Sequence, residues 1–236
     1  MNNTIENKSA LEYLSGVPSN TVDLVLTDPP YVISKDTGFS SVVNGVQRFA
    51  VSMDFGEWDK DEAFTKNDLR DVIKEYYRVL RNGGTMILFY DLWKLQDLAE
   101  ICAEVGFKQP RMIEWIKTNP VPLNSKINYL TNSREVAICV TKGSKPTFNS
   151  SYDNGIYSYP ICHERGRFHP TQKPEAFMRD LIRKHTREGD TVLDCFSGSG
   201  TTVVAAIKEG RIGMGCEKNP EFAAKAAQRV MEAKDE

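Results

Sequence analysis

The sequence predicts a doubly wound α/β fold with a mixed, mostly parallel sheet, and two stretches near its C-terminus carry that prediction. Thr191–Leu193 is an apolar run with a β-branched start, which predicts a buried strand with Asp194 at its carboxyl end. Gly198 and Gly200 follow in a turn where the missing Cβ atoms let a ligand approach the backbone, before a helix begins. A second strand, 211–217, ends in an acid, the position that usually accepts ribose hydroxyls. Together they predict a site for an adenosine-containing ligand.

The N-terminal part supplies further strands of the same sheet. A short edge strand running into a helix is predicted from Ile5 to Leu14, and the strand Val22–Asp28 ends in Asp28-Pro-Pro-Tyr31. Two prolines cannot continue a sheet ladder, so Asp28 lies at the carboxyl end of a strand, where open α/β sheets place their ligands. Periodicity is lost from Val32 to Lys60, which predicts a long mobile loop that closes as a lid.

The rest of the chain alternates helices and strands within one predicted domain, residues 1–236. The predicted elements are a helix over 67–80, a strand over 85–90, a helix over 92–105, a strand pair over 111–117 and 135–140, a helix over 174–186 and a last helix over 221–233. Arg81-Asn-Gly-Gly84 is predicted to end the first of these helices. Residues 145–168 are rich in Gly, Pro, Ser and Tyr, which indicates a small surface insertion.

Composition excludes several classes of protein. With 236 residues, 40% hydrophobic and 26% charged, the chain is typical of one globular α/β domain. It has no apolar run of 18 residues, which argues against a membrane partner. Five scattered cysteines without a CxxC pair, and three histidines, argue against a disulfide framework or a metal site and fit a reducing cytoplasm. A net charge of −2 argues against coating a polyanion, but it leaves room for a local basic face.

The glycine turn alone leaves the ligand open. A nicotinamide enzyme would need a third glycine where the sequence has Val203, and a P-loop would need a lysine after Gly200. Asp28-Pro-Pro-Tyr31 narrows the chemistry, because the tetrapeptide suits an exocyclic amine on an aromatic ring. The Asp28 carboxylate and the Pro29 carbonyl can accept the two amine hydrogens and aim the nitrogen lone pair, while Tyr31 offers a stacking face.

With these motifs in place, the chain resembles the DNA amino-methyltransferases that modify adenine N6 or cytosine N4. The resemblance runs through nearly the whole chain and rests on Asp28-Pro-Pro-Tyr31, His169-Pro-Thr-Gln-Lys-Pro174, 194–202 and Glu217. The catalytic tetrapeptide precedes the glycine motif, as in the circularly permuted β subgroup. The resemblance implies a Rossmann-like fold that binds S-adenosylmethionine, with no metal required by the chemistry.

The same resemblance assigns roles to individual residues. The implied catalytic residues are Asp28, Pro29, Pro30 and Tyr31. The implied cofactor-binding residues are Ser9, Asp28, His169, Thr171, Lys173, Asp194, Phe196, Gly198, Ser199, Gly200, Thr201, Thr202 and Glu217. Glu217 would hold the ribose hydroxyls, and Thr171 and Lys173 would meet the methionine end, with Lys173 pairing the cofactor's carboxylate.

One position departs from the family pattern. Members usually carry an aspartate near the cofactor adenine, where this sequence has Ser9. A hydroxyl accepts a hydrogen bond from the adenine amine more weakly than a carboxylate does, so cofactor affinity is expected to be lower than usual.

A base within a duplex cannot reach such a pocket, so the resemblance implies base flipping and direct methyl transfer. Cytosine-C5 enzymes need a cysteine after proline, and no Pro-Cys dipeptide occurs here. Contacts to double-stranded DNA are expected from the irregular segments, with residues 145–168 as the candidate target-recognition insertion. The candidate DNA-binding residues are Lys117, Asn119, Lys126, Arg165 and Arg167.

The sequence thus predicts a site-specific DNA adenine-N6 methyltransferase. Adenine is preferred because members with aspartate first in the tetrapeptide mostly act on adenine, whereas serine first is commoner for cytosine N4. Cytosine-N4 methylation and a non-catalytic DNA-binding protein of the same fold remain alternatives; RNA or protein-glutamine enzymes more often have Asn in place of Asp28. By analogy the further partners are a second copy of the chain and a cognate restriction endonuclease, and the protein is expected in the cytoplasm, encoded by a bacterium or a phage.

Overall fold

The computed structural model describes residues 3–30, 39–43, 46–51, 64–120, 132–162, 168–169 and 171–235. Its main element is an eight-stranded sheet in the order β1-β10-β9-β2-β5-β7-β6-β8. The strands of this sheet are β1 (Thr4–Asn7), β2 (Val22–Thr27), β5 (Leu80–Tyr90), β6 (Lys108–Lys117), β7 (Arg134–Thr141), β8 (Ile156–Tyr159), β9 (Thr191–Asp194) and β10 (Ile212–Glu217). The helices are α1 (Ala10–Ser15), α2 (Lys66–Val79), α3 (Leu95–Val105), α4 (Glu175–His185), α5 (Thr201–Lys208) and α6 (Pro220–Asp235), with a 3₁₀ turn at Leu92–Lys94.

The sheet is mixed and mostly parallel, which confirms the predicted fold class. Strands β1, β10, β9, β2 and β5 pair in parallel, and β7 is antiparallel to both β5 and β6. Strand β8 runs parallel to β6 at the far edge. In the described sheet, β7 is therefore the one strand that runs against the others, and the carboxyl ends of the parallel strands meet at one edge.

Burial explains why these segments form the centre of the sheet. Leu24, Val25 and Leu26 of β2 are fully buried, as expected of a strand that is covered on both faces. The ring of Phe177 on α4 packs 5.9 Å from that of Phe89 and 5.6 Å from that of Trp115, measured between ring centroids. Phe177 also belongs to the same buried cluster as Leu24 and Leu26 of β2, so helix α4 covers β2 together with β5 and β6.

Three local predictions need correction. Residues 39–43 (β3) and 46–51 (β4) pair as an antiparallel hairpin inside the stretch 32–60, which was predicted to be a loop throughout. Strand β5 begins at Leu80, directly after α2, so the glycines predicted as a stop lie within the strand. The predicted insertion 145–168 contributes β8 to the main sheet. The hairpin and β8 contain strand-forming residues, and Asn44-Gly45 is a typical hairpin turn sequence, but segments this short form strands only where a partner strand pairs with them.

Two compact units make up the chain. Pro30–Leu69 forms one, which includes the hairpin, and Met1–Pro29 with Arg70–Glu236 forms the other, which holds the main sheet. Among the described residues, no helix is long and apolar enough to cross a membrane.

Candidate active site

The carboxyl edge of the parallel strands gathers the acids that the sequence singled out. Glu217 ends β10 and lies opposite Asn7 of β1, while Asp194 ends β9 opposite Gly215 of β10. Strand β2 pairs with β9 on the side of β9 that faces away from β10, and this pairing brings Asp28 to the same edge. Asn7 secures the outer part of this edge, since its amide nitrogen donates to the carbonyl oxygens of Glu217 and Lys218, each at 2.9 Å.

The glycine turn after β9 is held by Glu217. Gly198 and Gly200 have φ angles of 49° and 77°, the left-handed region that favours glycine. The Gly198 N–H donates to Glu217 Oε2 at 2.8 Å, and the Asn219 N–H donates to Oε1 at 2.8 Å. Burial raises the pKa of Glu217, and these backbone bonds act in the opposite direction. Each carboxylate oxygen keeps lone-pair capacity for a ligand hydroxyl.

Asp194 is a buried link between the turn and β2. Its Oδ1 accepts from Thr27 Oγ1 at 2.7 Å and from the Phe196 N–H at 3.0 Å. The hydroxyl of Thr202, at the start of α5, bonds to it as well. Burial raises the pKa of Asp194 to about 6. Because Thr27 immediately precedes Asp28, Asp194 fixes the predicted catalytic aspartate relative to the glycine turn.

Two buried hydroxyls anchor the start of α5. Ser199 Oγ lies 2.9 Å from Thr201 Oγ1, and the guanidinium of Arg229 donates to the Ser199 carbonyl oxygen at 2.6 Å. Ser9 lies just beyond β1 and is exposed, and within the described part of the chain its hydroxyl makes no hydrogen bond that caps α1. Ser9 is thus available to a ligand at this edge.

The segment before α4 adjoins the glycine turn. A Cβ at Gly198 would lie 3.1 Å from His169 Nε2, so the imidazole packs directly against the turn. The same ring meets Phe222 of α6 edge-on at 4.7 Å, and Thr171 Oγ1 lies 3.3 Å from His169 Nδ1. His169 and Thr171 therefore lie next to the glycine turn.

Asp28 lies at the end of β2 with its two carboxylate oxygens in different surroundings. Its Oδ2 accepts a hydrogen bond from Lys173 Nζ. Its Oδ1 is buried and has no hydrogen-bond partner among the described residues. Burial raises the pKa of Asp28, while Lys173 acts against that rise. Pro29, which follows, is buried, and Pro30 is half-buried. Asp28 therefore presents one of its two carboxylate oxygens as an unused acceptor.

Lys173 connects Asp28 to a second acid that sequence reasoning missed. Lys173 Nζ lies 2.9 Å from Glu135 Oε2 and 4.9 Å from the centroid of the Phe89 ring. Glu135 Oε1 in turn lies 2.8 Å from Lys117 Nζ. Lys173, predicted to pair a cofactor carboxylate, is here shared by two carboxylates of the protein. The one sequence signal for Glu135 is an acid at the start of an otherwise apolar strand.

The candidate DNA-binding residues are only partly described. Lys117 has a side chain that is 14% exposed and paired with Glu135, so its ammonium belongs to the acidic cluster. Asn119 Oδ1 accepts from the Ile161 N–H at 2.7 Å, which ties the end of β6 to the segment after β8. Tyr31, Lys126, Arg165 and Arg167 lie outside the described residues.

Comparison with known proteins identifies the family. Residues 22–228 match the N6/N4 family described as DNA methylase, and the chain belongs to that family. It is 33% identical over 243 residues to the type II methyltransferase M2.DpnII of Streptococcus pneumoniae, covering 95% of this chain and 88% of the relative. It is 31% identical to the type II methyltransferase M2.MboI of Moraxella bovis, covering 95% and 86%. Among solved structures, the M1.HpyAVI–SAM complex superposes with a TM-score of 0.71 at 27% identity, covering 96% of this chain and 98% of the other.

Proposed function

We propose that the protein transfers the methyl group of S-adenosylmethionine to the exocyclic N6 of adenine in double-stranded DNA. The observation that carries the proposal is the buried Oδ1 of Asp28, which lacks a hydrogen-bond partner in the described chain. An unsatisfied buried acceptor is costly unless a ligand donor completes it, and the hydrogens of an aromatic amine are such donors. Its place beside the glycine turn brings that amine next to the cofactor site.

Asp28 activates the amine in this proposal. Its Oδ1 and the carbonyl oxygen of Pro29 accept the two N6 hydrogens, which directs the nitrogen lone pair away from the ring plane. Tyr31 stacks on the flipped base. When the nitrogen has formed its bond to the methyl carbon, it carries a positive charge and releases one hydrogen as a proton. The ionised Asp28 accepts that proton, and solvent then removes it.

The residues around the glycine turn fit S-adenosylmethionine. Glu217 would take the ribose hydroxyls with the lone pairs that its two backbone donors leave free, and Ser9 would meet the adenine. Phe196 would line the adenosine part, and His169 and Thr171 the methionine part. When bound, the cofactor would supply an electrophilic methyl group on a sulfonium, and its sulfur would keep the electron pair of the broken methyl–sulfur bond.

The partners and surroundings follow from the family. The proposed substrate is duplex DNA with the target base flipped out, since the acceptor is buried at the sheet edge. We include in the proposal a homodimer, a cognate restriction endonuclease and a bacterial cytoplasm. The bacterial relatives and the free, buried thiols of all five cysteines support that setting.

Nucleoside mass spectrometry tests the proposal directly. Unmethylated genomic DNAs of varied sequence are incubated with S-adenosylmethionine and with wild type, Asp28→Ala or Asp71→Ala. Asp71 is an exposed acid on α2 that pairs with Lys74, so it provides a matched carboxylate deletion away from the site. We expect N6-methyladenine with wild type and Asp71→Ala, and a loss of at least 100-fold with Asp28→Ala.

N4-methylcytosine in place of N6-methyladenine would overturn the choice of base. No modified base with wild type on any DNA would overturn the enzymatic function. Equal losses in both variants would remove Asp28 from the mechanism.

A further inference from the structure

Asp28 is the first member of a row of four alternating charges, Asp28–Lys173–Glu135–Lys117. We infer that Glu135 is a positioning residue for methyl transfer. By sharing the ammonium of Lys173, it sets where that ammonium sits and how strongly it acts on Asp28. This inference deepens the proposed function and rests on it. Glu135 itself would touch neither the amine nor the cofactor.

Regular backbone places all four groups. Asp28 follows β2, Lys173 precedes α4, Glu135 is near the start of β7 and Lys117 ends β6. Glu135 lies opposite Trp115 in the β6–β7 ladder, so both side chains stand on one face of the sheet. Lys117 is two residues beyond Trp115 and points to the same face, because side chains alternate along a strand. The positions of the cluster are therefore fixed by the sheet.

The ammonium of Lys173 is divided between two acids. Its side chain is 8% exposed, and its Nζ bonds to Asp28 Oδ2 and lies 2.9 Å from Glu135 Oε2. A lysine ammonium has three N–H donors, and water competes little at this depth. If Glu135 lost its charge, its negative charge would no longer oppose the effect of the Lys173 ammonium on Asp28. The Asp28 carboxylate would then be a weaker acceptor for the amine hydrogen and the released proton.

The charges that face Asp28 act in opposite directions. In the described structure these are Lys173, Glu135, Lys117 and, from β9, Asp194. Burial raises the pKa of Asp28, the two lysines lower it and Glu135 raises it. Glu135 thus preserves the basicity of Asp28, while Lys173 keeps the carboxylate oriented with Oδ1 free.

Opposite substitutions in the row give a test of sign. The pH dependence of kcat/KM is measured for wild type, Glu135→Gln and Lys117→Met, and its acid limb reports the essential base of the free enzyme. Glu135→Gln removes a negative charge close to Asp28, so we expect the acid limb of the profile to shift to lower pH by about one unit. Lys117→Met removes a positive charge that lowers the pKa of Asp28, so we expect the acid limb to shift to higher pH. For Glu135→Gln we expect kcat to fall about tenfold, with KM for DNA and S-adenosylmethionine within about twofold.

Two controls separate positioning from general damage. Glu114→Gln makes the same change on β6, where Glu114 pairs with Arg134 at 3.4 Å, and it should leave the acid limb in place. Glu135→Asp keeps the charge on a shorter side chain and should restore part of kcat. Thermal unfolding establishes whether each variant is folded. If Glu135→Gln does not fold, Lys117→Met alone still tests the direction of the pH shift.

A measurement without turnover keeps the inference separate from the proposed function. Carbon-13 NMR of labelled aspartate, with the Asp28 signal assigned by Asp28→Asn, gives the titration of that carboxyl in each folded variant. A lower pKa in Glu135→Gln and a higher one in Lys117→Met support the inference. An unmoved Asp28 signal, or shifts of the same sign, overturn it. If the NMR shifts occur but wild type methylates no DNA, the proposed function fails and the positioning role in catalysis fails with it.

Discussion

Replacing Glu217 by glutamine removes the charge that the glycine turn and the ribose would share. The carboxylate accepts the Gly198 and Asn219 N–H groups at 2.8 Å each. A glutamine has one acceptor oxygen and a donor NH₂, so one of these N–H groups would face a donor. Hydrogen bonds to a charged group contribute about 1.5–3 kcal/mol each. Losing the charged acceptor for two ribose hydroxyls therefore costs about 3 kcal/mol or more, a weakening of Kd of at least about 100-fold.

Isothermal titration with S-adenosylmethionine measures this loss. Glu221→Gln is the control, because Glu221 is an exposed acid on the first turn of α6. Burial raises the pKa of Glu217, so this carboxylate becomes protonated at a higher pH than an ordinary glutamate does. As pH is lowered, the affinity of the wild type for S-adenosylmethionine should therefore begin to fall earlier than it would with an ordinary glutamate. The Glu217→Gln variant should lack this acid dependence. A Kd within twofold of wild type, or an equal loss in Glu221→Gln, would refute the assignment of Glu217 to the ribose.

Two further predictions concern the same sheet edge. Burial raises the pKa of Asp194 to about 6, so the folded protein binds its proton more tightly than the unfolded chain does. The corresponding stability is present below about pH 4 and is lost as pH rises through about 6, a change of about 3 kcal/mol at most. Asp194→Asn keeps an oxygen acceptor and should flatten this dependence in chemical unfolding from pH 4 to 7; a parallel pH dependence in both proteins would contradict the reasoning. Ser9→Asp introduces, at an exposed position, the carboxylate that the family usually has there. It should tighten S-adenosylmethionine binding about three- to tenfold, or about 1 kcal/mol. Unchanged or weaker binding by titration would show that residue 9 does not contact the adenine.

Local signals account for what the sequence predicted well. The strand before Asp194, the turn at Gly198 and Gly200, and the acid of Glu217 lie within one βαβ unit, so their geometry is encoded by neighbouring residues. Asp28 was placed correctly at a strand end because the two prolines that follow it forbid continued pairing. Such motifs carry their own structural context.

Long-range pairing accounts for what was missed. Glu135 on β7 pairs with Lys173, which lies far along the chain in the segment before α4. Nothing in the sequence next to Glu135 distinguishes it from a surface acid at the end of a strand. Lys173 was assigned to a cofactor because its motif is local, whereas its protein partners come from β2 and β7. Gly83 and Gly84 gave a strong turn signal, and they lie in β5 at a register irregularity, where the pair Leu80–Val22 is followed directly by Thr85–Leu24 and Gly83 has a φ of 81°.

The strand order also constrains when this site can form during synthesis. Strand β2 lies between β5 and β9, and β1 pairs with β10. A ribosome delivers β1, β2 and β5 early. Strand β9, which pairs with β2 on the side away from β5, and strand β10, the one described neighbour of β1, leave the ribosome only after β8 and α4. Until then β2 presents an open, apolar edge, the kind of surface to which chaperones and other nascent chains bind. Because pairing over such separations is slow, cofactor binding would become possible only at the last step of folding.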